Sequence, residues 1–146
     1  MSDHGKNFSG VHVATVTPMK ANSEVDFDML AKYNDYLVNS GVSGLIPLGS
    51  TGEFYALTDD ERRDVLKGTI EAAGGRVDVI AGTNASSTAN VIKYSKQAEK
   101  LGADGLLLAA ADDDSGPEFS QASCHRLADT FARTGNQRNL AIELKQ

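Results

Sequence analysis

Four short apolar runs, most of them followed by a segment with helical periodicity, recur along the chain at nearly regular spacing. The runs begin at about residues 11, 44, 77 and 105. Wholly apolar strands that alternate with amphipathic helices predict a parallel sheet covered by helices, because such a sheet is buried on both faces. The recurrence alone does not distinguish an open doubly wound sheet from a (β/α) barrel.

Local signals mark where the predicted helices begin and end. Strands are predicted over about residues 11–17, 44–48, 77–81 and 105–108, and helices over about 27–40, 58–73 and 88–101. Asp26 and Ser87 are candidate N-caps, and Thr58 with Glu61 forms a capping box. A glycine follows the end of each helix, where a left-handed residue is favoured. The segment LAIEL, residues 140–144, adds a candidate fifth strand.

Composition and charge argue against several function classes. The 146 residues include 14 basic and 20 acidic side chains, so a broad surface for nucleic acid or for an anionic membrane is not expected. The longest apolar run, residues 105–111, is too short to span a bilayer, and the polar N-terminus lacks the apolar core of a signal peptide. The single cysteine, Cys124, cannot form an internal disulfide. We therefore expect a cytoplasmic protein.

The stretch PLGSTGEFYAL, residues 47–57, directly follows the second predicted strand. In parallel α/β folds the chemistry lies at the carboxyl ends of the strands, which is where Ser50 and Thr51 fall. The flanking Gly49 and Gly52 let the backbone approach a ligand closely. Two hydroxyls and nearby backbone N–H groups suit a carboxylate or phosphate oxygen. The alternative is a glycine-rich turn whose hydroxyls only bind neighbouring backbone groups.

Four segments carry a resemblance to a known family. The sequence reads GVHVATVTPM at 10–19, GLIPLGSTGEFYALTDDER at 44–62, VIAGTNASSTANVI at 79–92 and AEKLGADGLLL at 98–108. In this order the segments resemble the dihydrodipicolinate synthase / N-acetylneuraminate lyase family over about residues 8–110, and GSTGE followed by L-T-x-x-E-R is the most specific element. The resemblance implies an α/β fold, a partial (β/α)8 TIM barrel of about four and a half β/α units.

The resemblance also implies a chemistry. Members of the family, which are often tetrameric, form a Schiff base between a barrel lysine and pyruvate or a related 2-oxo acid. They then catalyse aldol addition, retro-aldol cleavage or dehydration, so a lyase or aldolase without a metal or other cofactor is expected. Ser50 and Thr51 match the pair that contacts the 2-oxo acid carboxylate and takes part in proton relay. The positions that match the surrounding pocket are Gly49, Gly52, Glu53, Thr17 and Pro18.

The resemblance ends where family members continue into a loop rich in proline and tyrosine. Their relay tyrosine follows the fifth strand and their Schiff-base lysine lies on the sixth, and no position of this chain matches either one. Lys145, after the candidate fifth strand, is expected to be a solvated terminal lysine. We therefore expect residues 1–146 to form a single incomplete barrel domain, which is family-like over 8–110 and divergent over 111–146. Any enzyme activity of this domain is expected to be impaired by the truncation.

The remaining polar residues are expected to be structural. Asp112, Asp113 and Asp114 are expected to form an acidic solvated turn rather than a divalent-cation site, since their spacing does not complete a calcium loop. Three lysines of the third predicted helix are expected at its surface, and His12 is expected to pack within the first strand. Those lysines are Lys93, Lys96 and Lys100.

Two functions from different classes follow from the sequence. The first is a Schiff-base aldolase or lyase that acts on a 2-oxo acid of the pyruvate class. The second is a non-catalytic module that binds the 2-oxo acid or serves in oligomeric assembly. An open half-barrel leaves sheet edges and apolar helix faces uncovered, so a homo-oligomer is expected in either case.

Overall fold

The computed structural model describes residues 8–108 and the backbone of residues 140–143. Strands and helices alternate up to β4, as the sequence predicts. In chain order the elements are β1 (His12–Ala14), α1 (Phe27–Asn39), β2 (Gly44–Ile46), α2 (Asp59–Ala73), β3 (Asp78–Gly82), α3 (Thr88–Leu101), β4 (Gly105–Leu108) and β5 (Leu140–Glu143). Two short 3-10 turns, Ser50–Gly52 and Phe54–Ala56, lie between β2 and α2.

The order of the strands resolves the alternative that periodicity left open. The sheet runs β1-β2-β3-β4-β5, and the first four strands pair parallel to their sequence neighbours. Doubly wound sheets reverse their strand order at a switch point, whereas a (β/α) barrel adds each parallel strand beside the previous one. The sequential order therefore confirms the predicted partial barrel.

The fifth strand corrects the prediction in one respect. The segment forms a strand, Leu140–Glu143, but it pairs antiparallel with β4, with Gly105 opposite Glu143 and Leu108 opposite Leu140. A continued strand–helix repeat requires a parallel fifth strand, so the described chain has four barrel-like strands and one reversed strand. A run of four residues has the same apolar content in both directions, which is why its composition cannot predict the direction of pairing.

The caps form as predicted. Oδ1 of Asp26 accepts a hydrogen bond from the N–H of Met29 at 2.9 Å, and Oε2 of Glu61 accepts one from the N–H of Thr58 at 2.8 Å. Gly74 has a left-handed backbone with a φ of 56°, a conformation that favours glycine. The helix boundaries therefore arise from local hydrogen bonds, and they agree with prediction to within a residue.

Strands β1 and β2 are shorter than predicted. The N–H of Thr15 bonds to the carbonyl of Ile46 at 3.1 Å, after which the two strands diverge. Pro47 has no N–H to offer a neighbouring strand, and Leu48 has a left-handed backbone with a φ of 62°. Strand β2 therefore ends at Ile46, although the apolar sequence continues to Leu48, and the chain turns there into the loop that follows.

The core lies between the sheet and the three helices. Leu45 of β2 and Leu106 of β4 are fully buried, and they belong to the same apolar cluster as Leu30 of α1 and Val65 of α2. Among the described residues no helix is both long enough and apolar enough to cross a bilayer. This packing holds the carboxyl ends of the strands, and the loops that follow them, on a rigid base.

Candidate functional site

The loop after β2, residues 47–57, carries the predicted carboxylate-binding residues. Ser50 and Thr51 are exposed at the carboxyl end of β2, whereas Gly49 and Gly52 beside them are buried. Within residues 8–108, no side chain or backbone group forms a hydrogen bond with either hydroxyl. The alternative in which these hydroxyls only satisfy neighbouring backbone groups is therefore not what the structure contains, and both are available to a ligand.

The backbone of this loop is held in an unusual conformation. Gly52 N–H bonds to the carbonyl of Gly49 at 3.0 Å, and Glu53 N–H bonds to that of Ser50 at 3.1 Å. Leu48 and Glu53 are left-handed, with φ angles of 62° and 52°. For residues with a side chain this costs about 1–3 kcal/mol each, and such strain persists only where surrounding structure maintains it. The contacts that hold the loop therefore decide where its hydroxyls lie.

Thr17 provides one of these contacts. Its hydroxyl donates a hydrogen bond to the carbonyl of Gly52 at 2.8 Å. A Cβ at Gly52 would lie 3.0 Å from the carbonyl oxygen of Thr15, a tight contact that requires a shift of a few tenths of an ångström. Thr17 lies at the same end of the sheet as Ser50, as predicted. Its hydroxyl is engaged in holding the loop. Pro18 instead accepts a hydrogen bond from the N–H of Asp26.

The end of β3 supports the loop from its other side. A Cβ at Gly82 would lie 2.3 Å from the carbonyl oxygen of Leu48, and the N–H of Gly82 donates to the carbonyl of Pro47 at 2.9 Å. Only a residue without a side chain permits this approach. The left-handed Leu48 therefore rests directly on β3, and the loop after β2 is bound to both neighbouring strands.

A cleft of about 500 Å³ opens between the loops that follow β2 and β3. Ser50 contributes to its lining, whereas Thr51 and Thr17 do not. Its other polar and aromatic lining residues include Phe54, Tyr55, Arg62, Asn84, Asn90 and Tyr94. Of the predicted pair, only Ser50 lines this cleft, and the adjacent Thr51 is exposed outside it.

Arg62 is a site residue to which sequence reasoning gave no role. Only 4% of it is exposed, and burial lowers the pKa of its guanidinium from the ordinary value. One of its nitrogens, Nη1, donates to the carbonyl of Phe54 at 3.1 Å, and Nη2 donates to the carbonyl of Asn84 at 3.3 Å. Its Nε has no hydrogen-bond partner among the described residues. The available signal was the arginine of L-T-x-x-E-R, which lies one residue after the capping glutamate.

A charged cluster formed by Asp59 at the start of α2 and by Lys93 and Tyr94 in the middle of α3 lies beside this arginine. The ring of Tyr94 lies 4.1 Å from the Arg62 guanidinium carbon, and its hydroxyl donates to Asp59 at 2.6 Å. Hydrogen bonds from Lys93 and Tyr94 lower the pKa of Asp59, and the bond to Asp59 raises the pKa of Tyr94. Asp59 and Lys93 are more than half exposed, so their ion pair is screened by solvent.

The other predicted residues occupy structural positions where they are described. Lys93, Lys96 and Lys100 are exposed on α3, as expected. His12 packs within β1, where its Nε2 lies 3.5 Å from a carboxylate oxygen of Asp78. Residues 8–108 contain no group of three or more potential metal ligands. The predicted acidic turn at Asp112–Asp114 lies outside the described residues, as do Cys124 and Lys145.

Comparison with known proteins finds consistent relatives. The model of the dihydrodipicolinate synthetase family matches residues 7–110. A 4-hydroxy-tetrahydrodipicolinate synthase of Methanococcus maripaludis strain C6 is 41% identical over 135 residues, which are 92% of this chain and 44% of that protein. The chain therefore spans less than half the length of this curated relative.

Solved structures give the same result for the fold. A crystal structure of a dihydrodipicolinate synthase superposes with a TM-score of 0.79 at 34% identity, over 86% of this chain and 43% of that one. A prophage protein of the dihydrodipicolinic acid synthase family from E. coli K12, solved in complex with pyruvate, has a TM-score of 0.78 at 29% identity. That match covers 84% of this chain and 42% of the other.

Proposed function

The chain belongs to the dihydrodipicolinate synthetase family, and we propose that its Gly49–Glu53 loop binds the carboxylate of pyruvate or a related 2-oxo acid. In this proposal the loop is part of the site of an aldolase or lyase that forms a Schiff base. The observation that carries it is the pair of exposed hydroxyls, Ser50 and Thr51, without hydrogen-bond partners in the described chain at the carboxyl end of β2.

The chemistry of the loop suits a small carboxylate. A carboxylate accepts several hydrogen bonds, and neutral hydroxyl and backbone N–H donors bind it without introducing a counter-charge. A cationic side chain would also bind the carboxylate, but it would oppose the approach of a second positive group. Neutral donors such as Ser50 and Thr51 leave the neighbouring carbonyl open to attack by an amine. The related prophage protein was solved in complex with pyruvate, which supports the same ligand class.

The proposed reaction needs an amine that residues 8–108 do not supply. A neutral lysine amine adds to the C2 carbonyl, and loss of one water from the carbinolamine gives the imine. Lys93 pairs with Asp59, Lys20 pairs with Glu24, and the other described lysines lie on helices. We propose that the Schiff-base lysine comes from outside this segment, while a hydroxyl of the Ser50–Thr51 pair relays a proton to the carbinolamine oxygen that leaves as water.

A binding titration tests the proposed loop. Pyruvate is titrated into isotopically labelled protein, and the shifts of the Ser50 and Thr51 amides are followed. Ser50→Ala and Thr51→Val should each weaken binding by about tenfold, because each removes a hydrogen bond to a charged group. Ser40→Ala, which removes an exposed hydroxyl at the end of α1, is the matched control and should leave the affinity unchanged. Wild-type protein that does not bind pyruvate would overturn the proposal.

Reduction with borohydride separates the two functions. If the chain contains its own nucleophile, borohydride in the presence of pyruvate should leave a mass increase on one lysine. Pyruvate binding without any adduct would favour a non-catalytic 2-oxo acid binding module. Mapping of the adduct by proteolysis and mass spectrometry identifies the lysine and tests Lys145 directly.

We also propose that the protein self-associates in the cytoplasm. Several apolar side chains are exposed, among them Val11 at 66% and Tyr55 at 72%. β1 is also an edge strand of the sheet that the structure describes, and an edge strand offers N–H and C=O groups to a second copy. Sedimentation velocity at several concentrations should show a species larger than 15.5 kDa, whereas a single monomeric boundary at every concentration would contradict this.

A further inference from the structure

Arg62 is a buried cation that forms hydrogen bonds with the loops after β2 and β3. It is 4% exposed, in the first turns of α2, and burial lowers the pKa of its guanidinium. Within residues 8–108 it has no carboxylate at ion-pair distance, so its charge is not neutralised by direct contact. Burying such a group is unfavourable, and a chain that keeps it needs the hydrogen bonds that it makes.

Those hydrogen bonds join two loops that are far apart in sequence. Arg62 Nη1 donates to the carbonyl of Phe54, in the loop after β2, and Nη2 donates to the carbonyl of Asn84, in the loop after β3. The carbonyl of Gly82 lies 3.5 Å from the same Nη2. A guanidinium is planar and rigid, so the two carbonyls that it binds are held at a defined separation.

Aromatic rings fix the plane of the guanidinium. Its carbon lies 4.1 Å from the ring centre of Tyr94 and 5.2 Å from that of Phe54. Arg62 therefore stacks on α3 while it binds the loop, and the Tyr94 hydroxyl is itself held by Asp59. The orientation of Arg62 is determined by α2, α3 and the loop together.

We infer that Arg62 is a positioning residue, which holds Ser50 and Thr51 in the geometry that binds the 2-oxo acid carboxylate through its bonds to the loops after β2 and β3. This inference rests on the proposed function of the loop. Arg62 does not touch the ligand in this role. It stabilises the left-handed residues Leu48 and Glu53 by fixing the chain that follows them. Its removal should loosen the loop locally and leave the helices and sheet in place.

Substitutions at two adjacent arginines test the inference. Arg62→Met removes the cation and both hydrogen bonds, whereas Arg62→Lys keeps the charge and loses the planar fork. Arg63→Met is the matched control, because Arg63 is on the same helix turn but partly exposed and paired with Asp60 and Asp64. The measurements are the pyruvate dissociation constant, from NMR titration, and the hydrogen exchange of individual amides in ligand-free protein.

Arg62→Met should raise the dissociation constant by about tenfold or more, since it removes hydrogen bonds that involve a charged donor. Arg62→Lys should raise it by a smaller factor, about threefold to tenfold, because one ammonium cannot bridge both carbonyls in the same plane. Amides of residues 48–57 should exchange faster in both variants, while those of α1 and β2 keep their protection. Arg63→Met should match the wild type in both measurements.

Two results would overturn the inference. The first is that Arg62→Met has the same pyruvate dissociation constant and the same hydrogen exchange in residues 48–57 as Arg63→Met. The second is that Arg62→Lys equals the wild type in both measurements. This second result decides the question even if Arg62→Met does not fold. Failure of the proposed function has a different signature, because wild-type protein would then not bind pyruvate at all. In that case the exchange of residues 48–57 in ligand-free variants still shows whether Arg62 holds the loop.

Discussion

Helix α2 packs against α1 on one side and against α3 on the other, and the two junctions use different chemistry. The junction with α1 is apolar around Leu30 and contains a neutral buried pair, in which Asn34 donates to the hydroxyl of Thr69 at 3.1 Å. The junction with α3 instead contains a buried cation, Arg62, stacked on the ring of Tyr94. Only the second junction forms hydrogen bonds to the loop after β2 among the contacts described here.

Helix α2 therefore has two roles: it packs the domain together through α1, and it holds the loops after β2 and β3 through Arg62. Toward α1, the polar hydrogen bonds stay within the helix pair, since Asn34 donates to the Thr69 hydroxyl and that hydroxyl donates to the carbonyl of Val65. Toward α3, Arg62 satisfies carbonyls that belong to strand-end loops. Substitutions at the first junction should therefore change the stability of the whole domain, and those at the second should change mainly the proposed site.

The largest effect is expected at the α1 junction. Leu30 is 1% exposed, and a Cβ on Gly68 of α2 would lie 3.7 Å from its Cδ2, in ordinary contact. Leu30→Ala should lower the free energy of unfolding by about 2–5 kcal/mol, because it removes buried methyl groups and leaves a cavity. Urea denaturation followed by circular dichroism measures this. Met29→Ala, at a half-exposed neighbour, should cost much less, and equal losses would contradict the packing described.

A smaller loss is expected from the buried polar pair. Asn34→Ala should cost about 1–3 kcal/mol, because it removes a buried hydrogen-bond donor from Thr69. Thr69→Val should cost a similar amount, and the double variant should lose less than the sum, since the two residues interact directly. Denaturation of all four proteins gives the coupling. Pyruvate affinity should not change in any of them; a weakened affinity would remove the distinction between the two junctions.

At the α3 junction the ring of Tyr94 should matter more than its hydroxyl. Tyr94→Leu removes the ring stacked on Arg62 and should cost about 0.5–2 kcal/mol of unfolding free energy. Tyr94→Phe keeps the ring and loses only the partly exposed bond to Asp59, so it should be nearly neutral. The Leu variant should also weaken pyruvate binding more than Asn34→Ala does. Thermal denaturation measures stability and the NMR titration measures affinity. A loss in Tyr94→Phe as large as that in Tyr94→Leu would show that the hydroxyl, and not the ring, is the main contact.

The smallest effect concerns pH. The N–H of Thr58 bonds to Glu61 and lowers the pKa of that carboxyl below its ordinary value of 4.5. A folded-state pKa below the unfolded one gives stability that is complete above pH 4.5 and decreases as pH falls through the lower value. Glu61→Gln should therefore flatten the acid side of the stability curve. Denaturation from pH 7 to pH 3 measures this, and parallel curves for the two proteins would exclude the contribution.

Much of the fold and part of the site could be predicted from the sequence. The caps at Asp26 and Thr58 form through residues that are near neighbours in the chain, so their signals are local. The position of Ser50 and Thr51 at a strand end was predicted from equally local signals. The apolar run before them and the capping box after them mark where the loop begins and ends. The repeated strand–helix unit predicted a parallel sheet, and the family resemblance implied the sequential strand order of a barrel.

The tertiary structure alone decided three features. The antiparallel direction of β5 depends on which chain lies beside β4, and the left-handed backbone of Leu48 depends on the close approach of Gly82. An arginine in a helix is expected at the surface, and Arg62 is buried because Tyr94 and two carbonyls meet it there. The amino-acid sequence by itself determined which segments form helices and strands, since caps and apolar patterns lie within a few residues. It did not determine that the Arg62 side chain meets the carbonyls of Gly82 and Asn84, which lie 20 or more residues away in the chain.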